Sequence, residues 1–155
     1  MYIHQYGGRY HTFKDDAVTS SPYPCLCALI RKAGRVVTSK YDKYLKPCGL
    51  KVTQLSMLAK IAKSPNITVS ELAQSLRMDQ TTVSRNLQVL EKSGYIHFED
   101  ETTDHRIKKI QIVALGVSKM NEAVPLWEKA QMDMERVLGD ADIKMMMEIL
   151  RKLTK

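Results

Sequence analysis

Two helix-start signals in close succession constrain this chain more than any other feature. Thr68-x-x-Glu71 is a capping box, in which a hydroxyl accepts one orphan amide and the glutamate reaches back to another. Asp79 follows eleven residues later, directly before a second helical pattern. That interval holds only one short helix and a turn, so TVSELAQSLRMDQTTVSRNLQVLEKSG reads as two helices with Gly94 as the stop. Leu72, Ala73 and Leu76 give the first an apolar face. Val83, Leu87 and Leu90, at i, i+4 and i+7, do the same for the second, residues 80–92.

The other face of that second helix begins with Gln80, Thr81, Ser84, Arg85 and Gln88. These types suit base edges: Gln and Asn pair with adenine, Arg with guanine, and Thr offers thymine a methyl group. A preceding short helix that positions it is what helix-turn-helix geometry requires. Taken alone, the same residues are equally a solvated helix face. Directly after Gly94 the period changes from about four to two. Tyr95-Ile-His-Phe98 and Ile107-Lys-Lys-Ile-Gln-Ile112 flank the charged turn EDETTDHR, which predicts a β-hairpin. Arg106 near its tip suits the negative potential of a minor groove, and Asp104 two residues earlier can hold the guanidinium. By itself this is a solvated turn with a charge pair. Capped helix pair, polar front and arginine-tipped hairpin together predict a winged helix-turn-helix.

The remaining chain supplies helices on both sides. Residues 1–22 show no steady period and read as an N-terminal arm. From Cys25 an apolar repeat runs through Leu26, Leu29, Ile30, Ala33, Val36, Val37, Tyr41, Tyr44 and Leu45 until Pro47 stops it. A helix over 52–63 carries Leu55, Leu58, Ile61 and Ala62, a long one spans about 116–138, and a short one about 140–153. The fold class is therefore mostly α with a small β-hairpin wing, a winged helix-turn-helix between flanking helices. The net charge of +7 permits a nucleic-acid partner, but most of the excess lies in residues 1–50 rather than in one patch.

Other classes find little support. The three cysteines do not make a disulfide framework, and no apolar h-region opens the chain, so the expected compartment is the cytoplasm. No apolar run approaches a membrane span. Among Cys25, Cys27, Cys48, His4 and His11 no pair has the usual metal-ligand spacing, so neither metal nor cofactor is expected. Thiol-redox, phosphate-loop, metalloprotease and serine-hydrolase motifs are all lacking, so the chain does not read as an enzyme such as a thiol oxidoreductase built on Cys27. The polar, arginine-bearing front of residues 80–88 with the Asp104-x-Arg106 wing argues against a winged-helix adaptor used only for protein contacts.

Over GLKVTQLSMLAKIAKSPNITVSELAQSLRMDQTTVSRNLQVLEKSGYIHFEDETTDHRIKKIQI the chain resembles the MarR family of bacterial and archaeal transcription regulators. The likeness extends over roughly residues 25–153. It implies a homodimeric regulator, a repressor of transcription, on double-stranded DNA with a pseudo-palindromic operator. Residues 23–50 and 114–155 would be dimerisation helices and 51–113 the DNA-binding lobe. Thr81, Thr82, Ser84 and Arg85 would lie in the major groove with Gln80 and Asn86 as helpers, and Ser70 near phosphate. Arg106 would be the wing arginine and Asp104 its orienter. Two departures stand out: Lys51 replaces the usual Thr or Ser cap, and Gly116 follows Leu115 where the common L-T-x-x-G motif has its threonine. The second predicts Gly116 as a helix cap.

The resemblance also implies release by a small aromatic or phenolic effector, for which Tyr41, Tyr44, Trp127 and the methionines 132, 134 and 145–147 are candidates, with plain dimer core as the alternative. One branch of the family, the organic-hydroperoxide regulators, keeps a reactive cysteine near the start of the first helix. Cys27 and Tyr41 look similar to its pattern, although Val52 and Arg31 occupy places of its other tyrosines. Fourteen residues separate the two, about 21 Å along one helix, so they could meet only between subunits.

Overall fold

The computed structural model describes residues 24–100 and 108–154. The chain divides into two compact units, Met1–Val37 and Thr38–Lys155. In the first, the described residues form the opening turns of α1 (Leu26–Leu45), and every one of them is exposed. The predicted repeat is present, but Leu26, Leu29, Ile30, Val36 and Val37 lie open to solvent.

The second unit holds the end of α1, a 3-10 turn over Lys46–Cys48, α2 (Val52–Lys63), β1 (Ile67–Thr68), α3 (Val69–Leu76) and α4 (Gln80–Lys92). Strands β2 (Ile96–Asp100) and β3 (Lys108–Ile112) follow, then α5 (Ala114–Leu153). The order is that of a winged helix-turn-helix. The sheet has three antiparallel strands rather than a bare hairpin, in the order β1-β3-β2, with Ile67 opposite Ile110 and Ile96 opposite Ile112. These pairings clip the entrance of α3 onto the hairpin.

The core lies under this sheet. Leu55, Leu58 and Ile61 of α2, Leu72 and Ala73 of α3, and Val83, Leu87 and Leu90 of α4 are buried with Ile67, Ile96 and Ile110. Leu76 is half-buried, and Ala62, expected on the inner face, is exposed. The helix ends follow local chemistry. Thr68 caps α3, and Arg77 closes it in the left-handed region (φ 52°), with Met78 N–H reaching Ala73 O at 2.9 Å. Gly94, at φ 71°, ends α4 in the same manner, with Tyr95 N–H on Leu90 O at 2.9 Å.

The start of α5 corrects the expectation for Gly116. Val113 takes the cap position without a side-chain bond, and Gly116 is the third helical residue, buried against the Tyr95 backbone. A Cβ there would run into the Tyr95 carbonyl, so glycine is needed for close approach rather than for capping. Ile112-Val113-x-x-Gly116 thus carries the L-T-x-x-G spacing, three residues upstream of the register read from Leu115. Farther along, Gly139 (φ 75°, ψ 160°) breaks α5 into limbs of 114–138 and 140–153, matching the two helices expected there.

The other departure, Lys51, is also resolved. Val52 N–H, at the first position of α2, donates to Asp42 Oδ1 of α1 at 2.8 Å, and Lys51 N–H donates to Gln54 Oε1 at 2.9 Å. On the far side of α1, Tyr41 donates to Gln131 Oε1 at 2.5 Å and Tyr44 to Asp133, tying the same turns to α5.

Candidate nucleic-acid interface

The first turns of α3 and α4 are built as one unit. At α3, Glu71 N–H donates to Thr68 Oγ1 at 3.2 Å, while Thr68 N–H and its hydroxyl donate to Glu71 Oε2 at 2.8 and 2.9 Å. At α4, Asp79 accepts the Thr82 amide at 2.8 Å and the Thr82 hydroxyl at 2.6 Å. Both carboxyls are held below the ordinary carboxylate range, Glu71 chiefly by the Thr68 amide and Asp79 chiefly by the Thr82 hydroxyl. The two helix starts are then tied together, because Gln80 Nε2 donates to Ser70 Oγ at 3.1 Å.

These bonds sort the expected interface residues by position. Thr81 and Arg85 are exposed on one stripe of α4, continued by Gln88, and the buried Val83–Leu87–Leu90 stripe faces the opposite way. Arg85 makes no hydrogen bond or ion pair to another described residue, so its five donors are available to an outside acceptor. Ser84 is half-buried beside this stripe. Thr82 and Asn86 are half-buried and engaged, Thr82 with Asp79 and Asn86 Nδ2 with Thr82 O at 2.9 Å. Gln80 and Ser70 are exposed but bonded to each other. Asp104 and Arg106 fall outside the described residues.

The described part of the wing carries its own polar face. Glu99 lies opposite Lys109 and is bonded to His97 Nε2 at 3.0 Å; that bond first, and Gln111 and Lys109 further down, hold its carboxyl below the usual range. Lys108, opposite Asp100 at the far end of the pairing, is exposed. Neither Lys108 nor the Ser70–Gln80 tie belongs to a motif. The first could be found only by pairing the strands, the second only by bringing α3 and α4 together.

The residues expected around an effector or a thiol are more dispersed. Tyr44 and Met134 line a cleft of about 340 Å3 between the last turns of α1 and the 130–137 stretch of α5, rimmed by Lys40, Lys43 and Arg136. Tyr41 and Trp127 pack against each other instead, ring centroids 6.4 Å apart, and Met132, Met145, Met146 and Met147 are exposed. Cys25 and Cys27 are exposed at the start of α1, and Cys48 is buried with its thiol donating to Leu45 O at 3.0 Å. Among the described residues no group of three or more His, Cys, Asp or Glu could hold a metal ion, and no helix is long and apolar enough to cross a membrane.

Comparison with known proteins agrees with this architecture. The MarR family profile matches residues 49–107, the stretch from before α2 to the wing. The crystal structure of the transcriptional regulator MosR of M. tuberculosis in complex with DNA is 34% identical in sequence. It superposes with a TM-score of 0.74, over 84% of this chain and 96% of that one. The chain is a member of the MarR family. An uncharacterised helix-turn-helix regulator of Bacillus cereus, 30% identical over 115 residues, covers 74% of this chain and 76% of its own length. SarZ of Staphylococcus haemolyticus is 29% identical over 93 residues, and the chain spans 63% of that regulator's length. As in other MarR-type folds, the α3–α4 pair and the sheet form the winged helix-turn-helix.

Proposed function

We propose that this MarR-family chain is a sequence-specific, double-stranded-DNA-binding transcription regulator that acts as a homodimer, with α4 in the major groove and the β2–β3 wing in the adjacent minor groove. The observation that carries this reading is the exposed Thr81–Arg85–Gln88 stripe on a helix capped by Asp79 and pinned to α3 through Gln80 and Ser70. A side chain that reads bases must leave a fixed backbone, and α4 is fixed at its groove-facing end. Arg85 is the principal base reader, with Thr81, Ser84 and Gln88 beside it. Ser70 and Gln80 act as a pair near phosphate. Thr82 and Asn86 serve the groove indirectly, by holding the first turns of α4. Arg106, oriented by Asp104, is the wing arginine. The relatives named as transcriptional regulators, and the MosR complex with DNA, support the same reading.

Two copies are favoured by apolar surface that one copy leaves open. Leu29, Ile30 and Val36 on α1, and separately Ile149, Leu150 and Leu153 on the last limb of α5, are each more than two-fifths exposed. Such surface on a chain with ordinary polar content calls for a partner, and a second copy supplies the same faces by symmetry. In this reading the first helix and both limbs of α5 dimerise, residues 51–113 form the lobe that binds DNA, and the regulator represses from a pseudo-palindromic operator in the cytoplasm. Release by a small aromatic or phenolic anion is the finer reading of the cleft at Tyr44 and Met134, whose rim carries three cations and one carboxylate. A thiol-based variant, with Cys27 as sensor and the partner's tyrosine beside it, is favoured by the exposure of Cys27 in the first turn of α1.

Selection of random duplex DNA by the purified protein tests the central claim. A two-fold-related consensus with half-sites about one helical turn apart is expected. Retention of duplexes without any enriched sequence would remove the sequence-specific reading. Repeating the selection with peroxide, and then with salicylate-like anions, separates the thiol from the effector reading.

A further inference from the structure

α2 starts without an accepting side chain at its cap position, and its own Gln54 takes only the Lys51 amide. Lys51 has the extended backbone of a cap residue (φ −94°, ψ 151°), but its ammonium can only donate and so cannot accept an orphan amide. The acceptor comes from another helix, Asp42 Oδ1 of α1, at 2.8 Å from Val52 N. Its second oxygen stands 3.4 Å from Lys51 Nζ, but the Lys51 side chain is 66% exposed, so the ion pair is weak and the amide bond carries the contact. A local threonine would cap α2 wherever α1 lay. A carboxylate borrowed from α1 caps it only when the last turns of α1 stand in one place.

Those turns are pegged on three sides. Tyr41 and Tyr44 hold them to Gln131 and Asp133 of α5, Asp42 holds them to α2, and Leu45 beneath is fully buried. The connection to α2 is short and internally bonded, with Pro47 in the 3-10 turn, Gly49 turning the chain at φ 74°, and the Cys48 thiol on Leu45 O. From this joint we infer that Asp42 is a positioning residue for DNA binding: it fixes the last turns of α1, and α5 to which they are tied, against the reading lobe, and so the half-site spacing that the regulator accepts. The inference rests on the homodimeric reading above. It needs no contact between Asp42 and DNA, because successive base pairs are about 3.4 Å apart along the axis and a small rotation of each lobe moves α4 by that amount.

The experiment measures affinity for the selected operator and for versions with one base pair added or removed between half-sites, alongside thermal unfolding. The parent is expected to lose about tenfold or more on either altered spacer. Asp42→Ala should flatten that loss to about twofold while still preferring the consensus half-site, and should unfold at lower temperature. Asp42→Asn keeps the acceptor and should restore the parent's spacing preference. The double variant Asp42→Ala/Lys51→Thr gives α2 a local cap, so it should recover thermal stability and still tolerate altered spacing. Recovery of both properties in the double variant would reduce Asp42 to an ordinary cap and overturn the inference, as would an Asp42→Ala protein with the parent's spacing preference. A parent that binds no duplex defeats the functional reading itself. A parent that binds its operator with no spacing preference defeats only the role given to Asp42.

Discussion

Arg85 and Arg106 are both arginines proposed to face DNA, yet they should fail differently when removed. Arg85 lies on the exposed stripe of α4, and an arginine that reads bases does so by paired bonds to a guanine edge. Arg85→Ala should cost about 1–3 kcal/mol on the consensus and relax preference at one position per half-site. Arg106→Ala should weaken all sequences alike and reduce the salt slope by about 1, which mobility shifts at several salt concentrations will separate. Asp79 makes a further prediction. Because its carboxyl is held below the ordinary range in the folded state, its stabilisation is present at neutral pH and lost as pH falls through the carboxylate range. Asp79→Ser keeps an acceptor without the charge, so its urea midpoint should fall less steeply than the parent's between pH 5 and about pH 3. At this scale the sequence was highly legible, because caps are local chemistry. Thr68 with Glu71, Asp79 and Gly94 act within a few residues of where they stand. The engagement of Thr82 and Asn86 was not legible, since residue type suits them equally to a groove and to a cap.

Among the elements, α2 and α4 run over the residues that the periodicity indicates, 52–63 and 80–92, because proline, aspartate and glycine punctuate both. β1 escaped, since two residues carry no period and its existence depends on Ile110, more than forty positions away. The start of α5 was misread for a related reason. Val113 caps without a side-chain bond, so nothing local marks the boundary, whereas Gly116 resembles a cap and is in fact the point where α5 meets the Tyr95 backbone. Gly116→Ala should therefore destabilise by at least about 2 kcal/mol, since the obstacle is a carbonyl that cannot swing aside. Denaturant unfolding checks this, and a variant as stable as the parent would show that the α5–Tyr95 contact yields easily.

For the whole molecule, the apolar repeat of α1 was read correctly as a repeat, but one chain buries only its end at Leu45 and leaves Leu26 to Val37 open. A sequence shows that a face is apolar; it does not show whose surface will cover it. Light scattering should find two copies at micromolar concentration. Leu150→Arg, on an exposed position of the last limb, should shift the protein toward one copy and lower affinity for the full operator more than for a single half-site. An unchanged dimer in that variant would move the interface away from this limb.

Gly139 carries this argument into genetics. It turns α5 at φ 75° and ψ 160°, a conformation essentially reserved for glycine, and the direction of everything after it depends on that turn. Every glycine codon is one base from an alanine codon, and alanine there would favour one continuous helix. Such an allele would leave the reading lobe intact while misdirecting the limb proposed to find a partner. Mixed pairs of mutant and parent chains would then carry two sound lobes on a mismatched frame. The expected phenotype is dominant interference, with the allele disabling the product of the normal copy as well as its own.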